Sequence, residues 1–393
     1  MRRVIERYCP TVQVKLIIGI TDIDDKIIRR ATQEGMTPIQ VARRYEAQFV
    51  DSLARLGVKF PERFLRVSDY ISEIIHFVKT IQERGMAYRG SDGSIYFSVK
   101  KYMEFGMQYP KFRPLGSLAV VGGTIKEDQR DFALWKAVKP GEPFWSSPWG
   151  DGRPGWHIEC SALIESVFGG QIDLHSGGMD LEFPHHENEI AQSEAFHKRS
   201  PWCPFFLHTG LLTIRGTKMS KSLGNFISVA EMLEKYTSED FRMFCLMSSY
   251  RSPMDFSWDK LHTAASKYNK IRRFIRQVEK LAANHSARRV QKMDFVDSQL
   301  LLGYQDQNTC FLSYHMLFRV EHSHREICSA LTNDFDWVSA LHNCEDLMRD
   351  THKYLYQKGS QSHPLVLNQV VEEIKTFMIQ MNLLIPLTWI DPK

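Results

Sequence analysis

The stretch VQVKLIIGI, residues 12–20, constrains the fold more than any other part of this chain. It is rich in β-branched residues and nearly all apolar, without the strict alternation of a strand that has one wet face. Such a segment fits a parallel sheet covered on both sides. It runs straight into the acidic TDIDDK, residues 21–26. Polar groups at the carboxyl end of a parallel strand are where α/β folds hold ligands.

The rest of the chain alternates in the same sense and then changes character. RRVIERY sets Val4, Ile5 and Tyr8 at helical spacing ahead of Pro10, so a helix end precedes the strand. TPIQVARRYEAQFVDSLARLG and VSDYISEIIHFVKTIQERG carry 3.6-residue apolar periodicity and both stop at glycine, which predicts two helices. AYRGSDGSIYFSV alternates about an Asp-Gly turn and predicts a hairpin, so helices plus hairpin form an inserted unit. Residues 105–129 read as loop. DFALWKA restarts order, GWHIECSALIESVFG starts a helix near His157, IDLHSGG is a short strand with a glycine turn, and FPHHENEIAQSEAFH is a helix opened by Pro184. Beyond Leu233 the pattern is helical to the end.

At 393 residues the chain has room for two or three domains. With 43% hydrophobic and 24% charged residues it can bury a large core, which excludes disorder as the default. The net charge of +4 proves no nucleic-acid partner, and admits one where basic residues cluster. Seven cysteines without paired spacing argue against a secreted disulfide framework. No apolar run approaches the ~20 residues of a membrane span, so a soluble protein without a membrane partner is expected. MRRVIERYCP lacks the apolar stretch of a secretory signal and is too short for a full organelle presequence.

Four constellations carry candidate chemistry. Cys160, His185 and Glu189 offer a thiolate, an imidazole and a carboxylate, the last two sharing a helix face one turn apart. The same residues taken alone read as a buried thiol and a helix start. HENE is not the HExxH of a metalloprotease, because Ile190 stands where the second histidine belongs. HSGGMD, residues 175–180, pairs glycines that let backbone approach a ligand with Asp180, suited to ribose hydroxyls, and is equally a plain turn. TKMSKSLGN brings Lys218 and Lys221 together with Ser220 and Ser222, a set suited to a triphosphate. It is not a Walker A loop, and a solvated lysine loop is the bland alternative. Residues 267–289 hold eight lysines and arginines against the single Glu279, with Ile271, Phe274, Ile275, Val278 and Leu281 as the apolar stripe. That face suits a phosphate backbone or plain solvent.

Taken together, GITDIDDKI, FALWKA, GWHIECSA, HSGGMDLEFPHHENEIAQSEA and KMSKSLGN occur in the order found in cysteinyl-tRNA synthetases, which are class I aminoacyl-tRNA synthetases. The resemblance is strong over residues 17–259, and SALTNDFDWVSALH is similar, more weakly, to the family's helical tRNA-binding domain. It implies an α/β, Rossmann-type catalytic domain with an inserted α+β unit, followed by an all-α bundle. On that pattern residues 1–30 are a remnant of the first Rossmann half, 31–128 the insertion, 129–235 the second half with the KMSKS loop, and 236–393 the tRNA-binding domain. The implied reaction joins L-cysteine to ATP, with Mg2+, and passes the cysteinyl group to tRNA(Cys) in protein synthesis. By the same resemblance Cys160, His185 and Glu189 are zinc ligands and Thr21 and Trp156 line the amino-acid pocket. Asp180 holds the ribose, and Lys218, Met219, Ser220, Lys221 and Ser222 form the ATP loop, with Lys218 and Lys221 catalytic. Zinc's preference for thiolate would reject serine where a pocket reading size alone would not.

The departure lies at the start. The family carries a fourth zinc cysteine and a HIGH-type motif ahead of the strand ending in GITDIDD, and neither occurs in this sequence. CPTV at Cys9 echoes the missing ligand's surroundings, but the strand follows within three residues, so Cys9 is expected to be structural. The expectation is a chain much less active than a full-length relative. A truncated form that only binds tRNA, and a ligase joining cysteine to an amino-sugar, are the other readings, with the basic helix favouring tRNA. A monomer in the mitochondrial matrix is expected, with the cytoplasm as the alternative.

Overall fold

The computed structural model describes residues 1–112, 125–219, 224–292, 307–358 and 362–383. Its first elements are α1 (Arg2–Tyr8), β1 (Ile17–Ile20), α2 (Asp25–Glu34), α3 (Pro38–Arg55), β2 (Arg63–Arg66), α4 (Ile71–Glu83), β3 (Ala87–Arg89), β4 (Ile95–Phe97) and α5 (Val99–Glu104). There follow β5 (Phe132–Ala137), β6 (Gly152–Pro154), α6 (Ile158–Phe168), β7 (Leu174–Gly178), α7 (Glu187–His197) and β8 (Phe205–Thr209). The remainder is β9 (Leu212–Ile214), β10 (Thr217–Lys218), α8 (Val229–Leu233), α9 (Ser238–Leu246), β11 (Met254–Asp255), α10 (Trp258–Lys292), α11 (Gln307–Thr332), α12 (Trp337–Lys358) and α13 (Pro364–Gln380). These elements gather into two compact units.

One unit comprises residues 15–54 and 59–211. Its β1 and β2 pair in parallel, Ile17 opposite Arg63, and β7 and β8 do likewise, Leu174 opposite Phe205. The chain segment between them forms an antiparallel sheet in the order β3-β4-β5-β6. The first strand is shorter than its composition predicts. Ladder pairing covers only residues 17–20 of the expected 12–20, with the Leu16 carbonyl accepting from Glu62 N–H at its edge, and Val12 is 50% exposed. The hairpin about the Asp-Gly turn forms as β3 and β4, Tyr88 opposite Tyr96.

The apolar periodicity of α4 puts Ile74, Phe77, Val78 and Ile81 on one buried face. They pack with Phe97, Leu134 and Trp135 of the sheet, Ile158 and Ala162 of α6, and Ala191 and Ala195 of α7. The two helices that carry the candidate metal donors are therefore fixed to one core. The turn into α6 depends on Gly155, whose N–H donates to the Leu134 carbonyl at 2.9 Å. A β-carbon there would lie 2.0 Å from the Ala133 carbonyl oxygen, a distance no side chain tolerates.

The other unit comprises residues 1–14, 55–58 and 212–393. Helices α9 to α13 bury Leu261, Ala264, Ile271, Leu347, Val370, Ile374 and Phe377 in one cluster, joined by Val4 of α1. Thr237 and Asp240 cap α9 reciprocally, which satisfies backbone N–H groups that the helix itself leaves unpaired. The turn from α11 to α12 puts Asp334 and Phe335 at φ 59° and 57°. Tyr250 and Arg251 hold the Asp334 carboxylate there, the guanidinium Nε at 2.7 Å, offsetting the cost of a left-handed backbone without glycine. No helix among the described residues is long and apolar enough to cross a membrane.

Candidate active site

Cys160 lies on the first turn of α6, and His185 and Glu189 flank the start of α7. The backbone turns helical at Pro184, as its position suggests, directly after the extended Phe183. Residues Glu182–His186 form a wider turn closed by His186 N–H donating to the Leu181 carbonyl, with Phe183 in extended backbone, and α7 proper begins at Glu187. The i, i+4 relation survives this irregularity. His185 Nε2 lies 3.0 Å from Glu189 Oε1 and 3.5 Å from Cys160 Sγ.

These spacings suit one ion. A tetrahedral zinc about 2.3 Å from sulfur and about 2.0 Å from nitrogen keeps two such donors about 3.5 Å apart. The three donor atoms lie within 4.8 Å of one another. Glu189 is fully buried, and neither of its carboxylate oxygens makes an aligned hydrogen bond, although two imidazoles stand within 3.1 Å. A buried carboxylate without aligned donors is costly unless a cation meets it. The donor set therefore fits a zinc ion held by Cys160, His185 and Glu189.

The electrostatics agree. Burial alone would push the Glu189 carboxyl up, but His175 and His185 outweigh it and hold it below the ordinary carboxylate range. Burial pushes the Cys160 thiol well up, and the Glu189 and Glu159 charges add to that. A thiol so placed ionises only where a strong local cation stabilises the thiolate. His175 responds oppositely to most buried histidines, because Glu189 outweighs its desolvation and raises it.

Around the donors stands a set of imidazoles that the motif reading passed over. His157 Nδ1 lies 2.9 Å from His185 Nδ1. With His185 Nε2 taken up as a metal ligand, the ring's proton would sit on Nδ1 and His157 would accept a hydrogen bond from it. His157 stays neutral for this, since burial and His185 lower it to about 3. His175 Nε2 lies 3.1 Å from Glu189 Oε2. His186 and His208 share a hydrogen bond at 2.8 Å, and Gly177 makes room for the His186 ring, which a β-carbon would meet at 2.7 Å. The available signal was density: His157, His175, His185, His186 and His208 all fall between β6 and the end of β8.

The remaining candidates are placed unevenly. Trp156 is 45% exposed, with its ring centre 4.7 Å from His185 and 4.9 Å from His157, so it walls the donor set. Asp180 follows β7, where a β-carbon on Gly178 would fall 2.5 Å from its Oδ1, so the second glycine clears the carboxylate. Thr21 is exposed at the carboxyl end of β1. In the other unit Lys218 ends β10, its carbonyl accepting from Asn225 Nδ2 at 3.2 Å, and Met219 N–H donates to the Leu212 carbonyl at 3.2 Å. Ser220, Lys221 and Ser222 lie outside the described residues.

Known structures define the class first. The methionyl-tRNA synthetase of Mycobacterium tuberculosis bound by methionyl-adenylate superposes with a TM-score of 0.71 at 14% identity, over 96% of this chain and 86% of that one. A putative arginyl-tRNA synthetase from Campylobacter jejuni gives 0.56 at 13% identity, over 96% and 78%. The fold is that of class I aminoacyl-tRNA synthetases, an α/β catalytic domain with a helical region after it. The family model for the class I (C) tRNA synthetase catalytic domain matches residues 1–266. The cysteine–tRNA ligase of Methanococcus maripaludis is 38% identical over 93% of this chain and 73% of its own length. A probable mitochondrial cysteine–tRNA ligase of Xenopus tropicalis is 46% identical over 66% of this chain and 46% of its own length. That of Pyrococcus horikoshii is 48% identical over 64% and 53%. The chain belongs to the cysteine–tRNA ligase family, enzymes that use ATP to join an amino acid to tRNA.

Proposed function

We propose that this chain activates L-cysteine with ATP and Mg2+ and passes the cysteinyl group to tRNA(Cys). In the first step the cysteine carboxylate attacks the α-phosphorus of ATP and pyrophosphate leaves. In the second a terminal ribose hydroxyl of the tRNA attacks the acyl carbon and AMP leaves. The observation that carries this reading is the convergence of Cys160 with the buried His185 and Glu189 beside the Trp156 ring.

A zinc ion bound there supplies a Lewis-acidic position that takes a thiolate and rejects a hydroxyl. Trp156 and Thr21 wall the amino-acid pocket, Trp156 keeping water off its deep end. Asp180 accepts hydrogen bonds from the adenosine ribose. Lys218 and Lys221 neutralise charge that grows on the phosphates as the α-phosphorus is attacked, with Met219, Ser220 and Ser222 completing the loop. The exposed Lys270, Arg273, Arg276 and Lys280 of α10 meet the tRNA backbone. The chain acts as a monomer in the mitochondrial matrix, a location supported by the likeness to the Xenopus protein and checked by imaging a tagged chain.

The test is ATP–pyrophosphate exchange that depends on cysteine and not serine, followed by charging of tRNA(Cys). Exchange lost in Cys160→Ala together with bound zinc supports the reading. Salt-sensitive tRNA binding without any exchange would replace it with the binding-only alternative.

A further inference from the structure

On the helical unit, far along the sequence from the donor set, a second group of reactive side chains comes together. Cys328 and His324 lie one turn apart on α11, with Cys328 Sγ 3.5 Å from His324 Nε2. The other nitrogen of the same ring, Nδ1, lies 3.0 Å from Glu373 Oε2 on α13. Thiol and carboxylate thus meet opposite nitrogens of one imidazole. That arrangement passes a proton along a line; it does not chelate an ion.

We propose that Cys328, His324 and Glu373 form a thiol–imidazole–carboxylate relay that makes Cys328 a modification site for small-molecule disulfides. In such a relay the imidazole takes the thiol's proton as the sulfur attacks, so Sγ reacts as the nucleophilic thiolate. Glu373, whose side chain is 12% exposed, fixes the ring and stabilises the imidazolium, while the His324 side chain is 54% exposed and leaves the ring open to solvent. The Cys328 thiol also donates to the Tyr8 hydroxyl oxygen, at 3.7 Å against 3.5 Å to the imidazole, and a phenol oxygen is a far weaker base than an imidazole nitrogen. Burial, with Cys328 beside it, raises the Tyr8 ionisation above the ordinary phenol range, and the Tyr8 O–H donates to Gln380 Oε1 at 3.2 Å.

The other thiols whose surroundings are described differ. Cys344 is fully buried and pushed well up by desolvation, and burial takes Cys203 and Cys245 to about 11. Cys160 belongs to the donor set. Cys9 is exposed, which makes it an internal reference.

The step balances. The Cys328 thiolate attacks one sulfur of the disulfide R–S–S–R, a new Sγ–S bond forms, and the old S–S bond breaks. Cys328 is oxidised, the departing sulfur leaves with the electron pair as thiolate, and the His324 imidazolium returns a proton to it.

The experiment exposes the full chain to glutathione disulfide and follows each cysteine by peptide mass mapping over time. Cys328 is expected to form the mixed disulfide roughly tenfold faster than Cys9. His324→Gln should remove most of that advantage while Cys9 is unchanged, and Glu373→Gln should slow Cys328 by a smaller factor. Unchanged far-ultraviolet circular dichroism in both variants separates loss of the relay from loss of fold. If a variant unfolds, His324→Asn and the wild-type ratio of Cys328 to Cys9 decide the question. Equal rates at Cys9 and Cys328 in the wild type, or a Cys328 rate indifferent to His324 in a folded variant, overturn the proposal.

Discussion

Replacing His157 by phenylalanine removes one hydrogen bond and keeps an aromatic ring in place. The ring packs at 4.9 Å from Trp156 and 5.9 Å from Phe132, and phenylalanine preserves both contacts. What disappears is the acceptor for His185 Nδ1, 2.9 Å away, in a site where His185 is 5% exposed. An unsatisfied buried donor costs about 1–3 kcal/mol, which converts to a factor of roughly 5 to 150 in an equilibrium constant. The cost falls selectively on the zinc-bound form. Without metal, His185 can move its proton to Nε2, toward Cys160 and Glu189, and leave Nδ1 bare. With metal, Nε2 is committed as a ligand and the proton must stay on Nδ1. The expected outcome is zinc affinity weakened about 10- to 100-fold, in line with losses of ligand-orienting partners elsewhere, and a thermal midpoint of the metal-free protein within a few degrees of wild type. Competition against a chromophoric chelator measures the first quantity and calorimetry the second. A zinc affinity within about twofold of wild type, in a folded variant, would show that His157 does not orient His185.

The other predictions test packing, charge and acid response. Gly155→Ala forces a β-carbon against the Ala133 carbonyl oxygen and should destabilise its unit by about 3 kcal/mol or more, read from urea denaturation. Phe377→Ala, at a position 1% exposed in the helical core, should cost about 3–5 kcal/mol in the same assay. Changing Lys270, Arg273 and Arg276 to glutamine should lower tRNA affinity at constant fold and flatten the log–log salt dependence by about 2 units, measured by filter binding at several salt concentrations. Glu46 is held below the ordinary glutamate range chiefly by its hydrogen bond to Arg66, with Arg43 adding to it. Its contribution is therefore present above the unfolded value and lost as pH falls through the lower folded one. Glu46→Gln should flatten the stability profile below about pH 4.5 and leave it parallel to wild type at neutrality.

Much of the architecture was legible in order along the chain, because it rests on local periodicity. The stripe on α10, with Ile271, Phe274 and Val278 buried and Lys270, Arg273 and Arg276 outside, is a property of 3.6 residues per turn. The hairpin at β3 and β4 follows from its turn residues. The strand over 12–20 was overread for a related reason: composition states which residues tolerate burial, while pairing depends on a partner, and β2 supplies one only for Ile17–Ile20. The helix start at Pro184 was legible as well, because proline's fixed backbone angle already suits a first helical turn, while the widened turn before regular hydrogen bonding resumes at Glu187 has no local signal.

The candidate metal donors were legible as types, since thiol, imidazole and carboxylate announce their chemistry wherever they stand. Their convergence was not, nor were the roles of His157 and His175. His157 and His185 are 28 residues apart, and no periodicity links positions on different elements. Glu373 is a plain surface glutamate in sequence and becomes the partner of His324 only across the interface of α11 and α13, 49 residues away. The sequence by itself determined the helices, the turns, the family and the inventory of reactive groups, all of which depend on neighbours within a few residues. Only the tertiary structure decided which groups share a proton, which carboxylate is buried and which thiol stands beside an imidazole and a carboxylate, because those depend on distances set when separate elements close on one core.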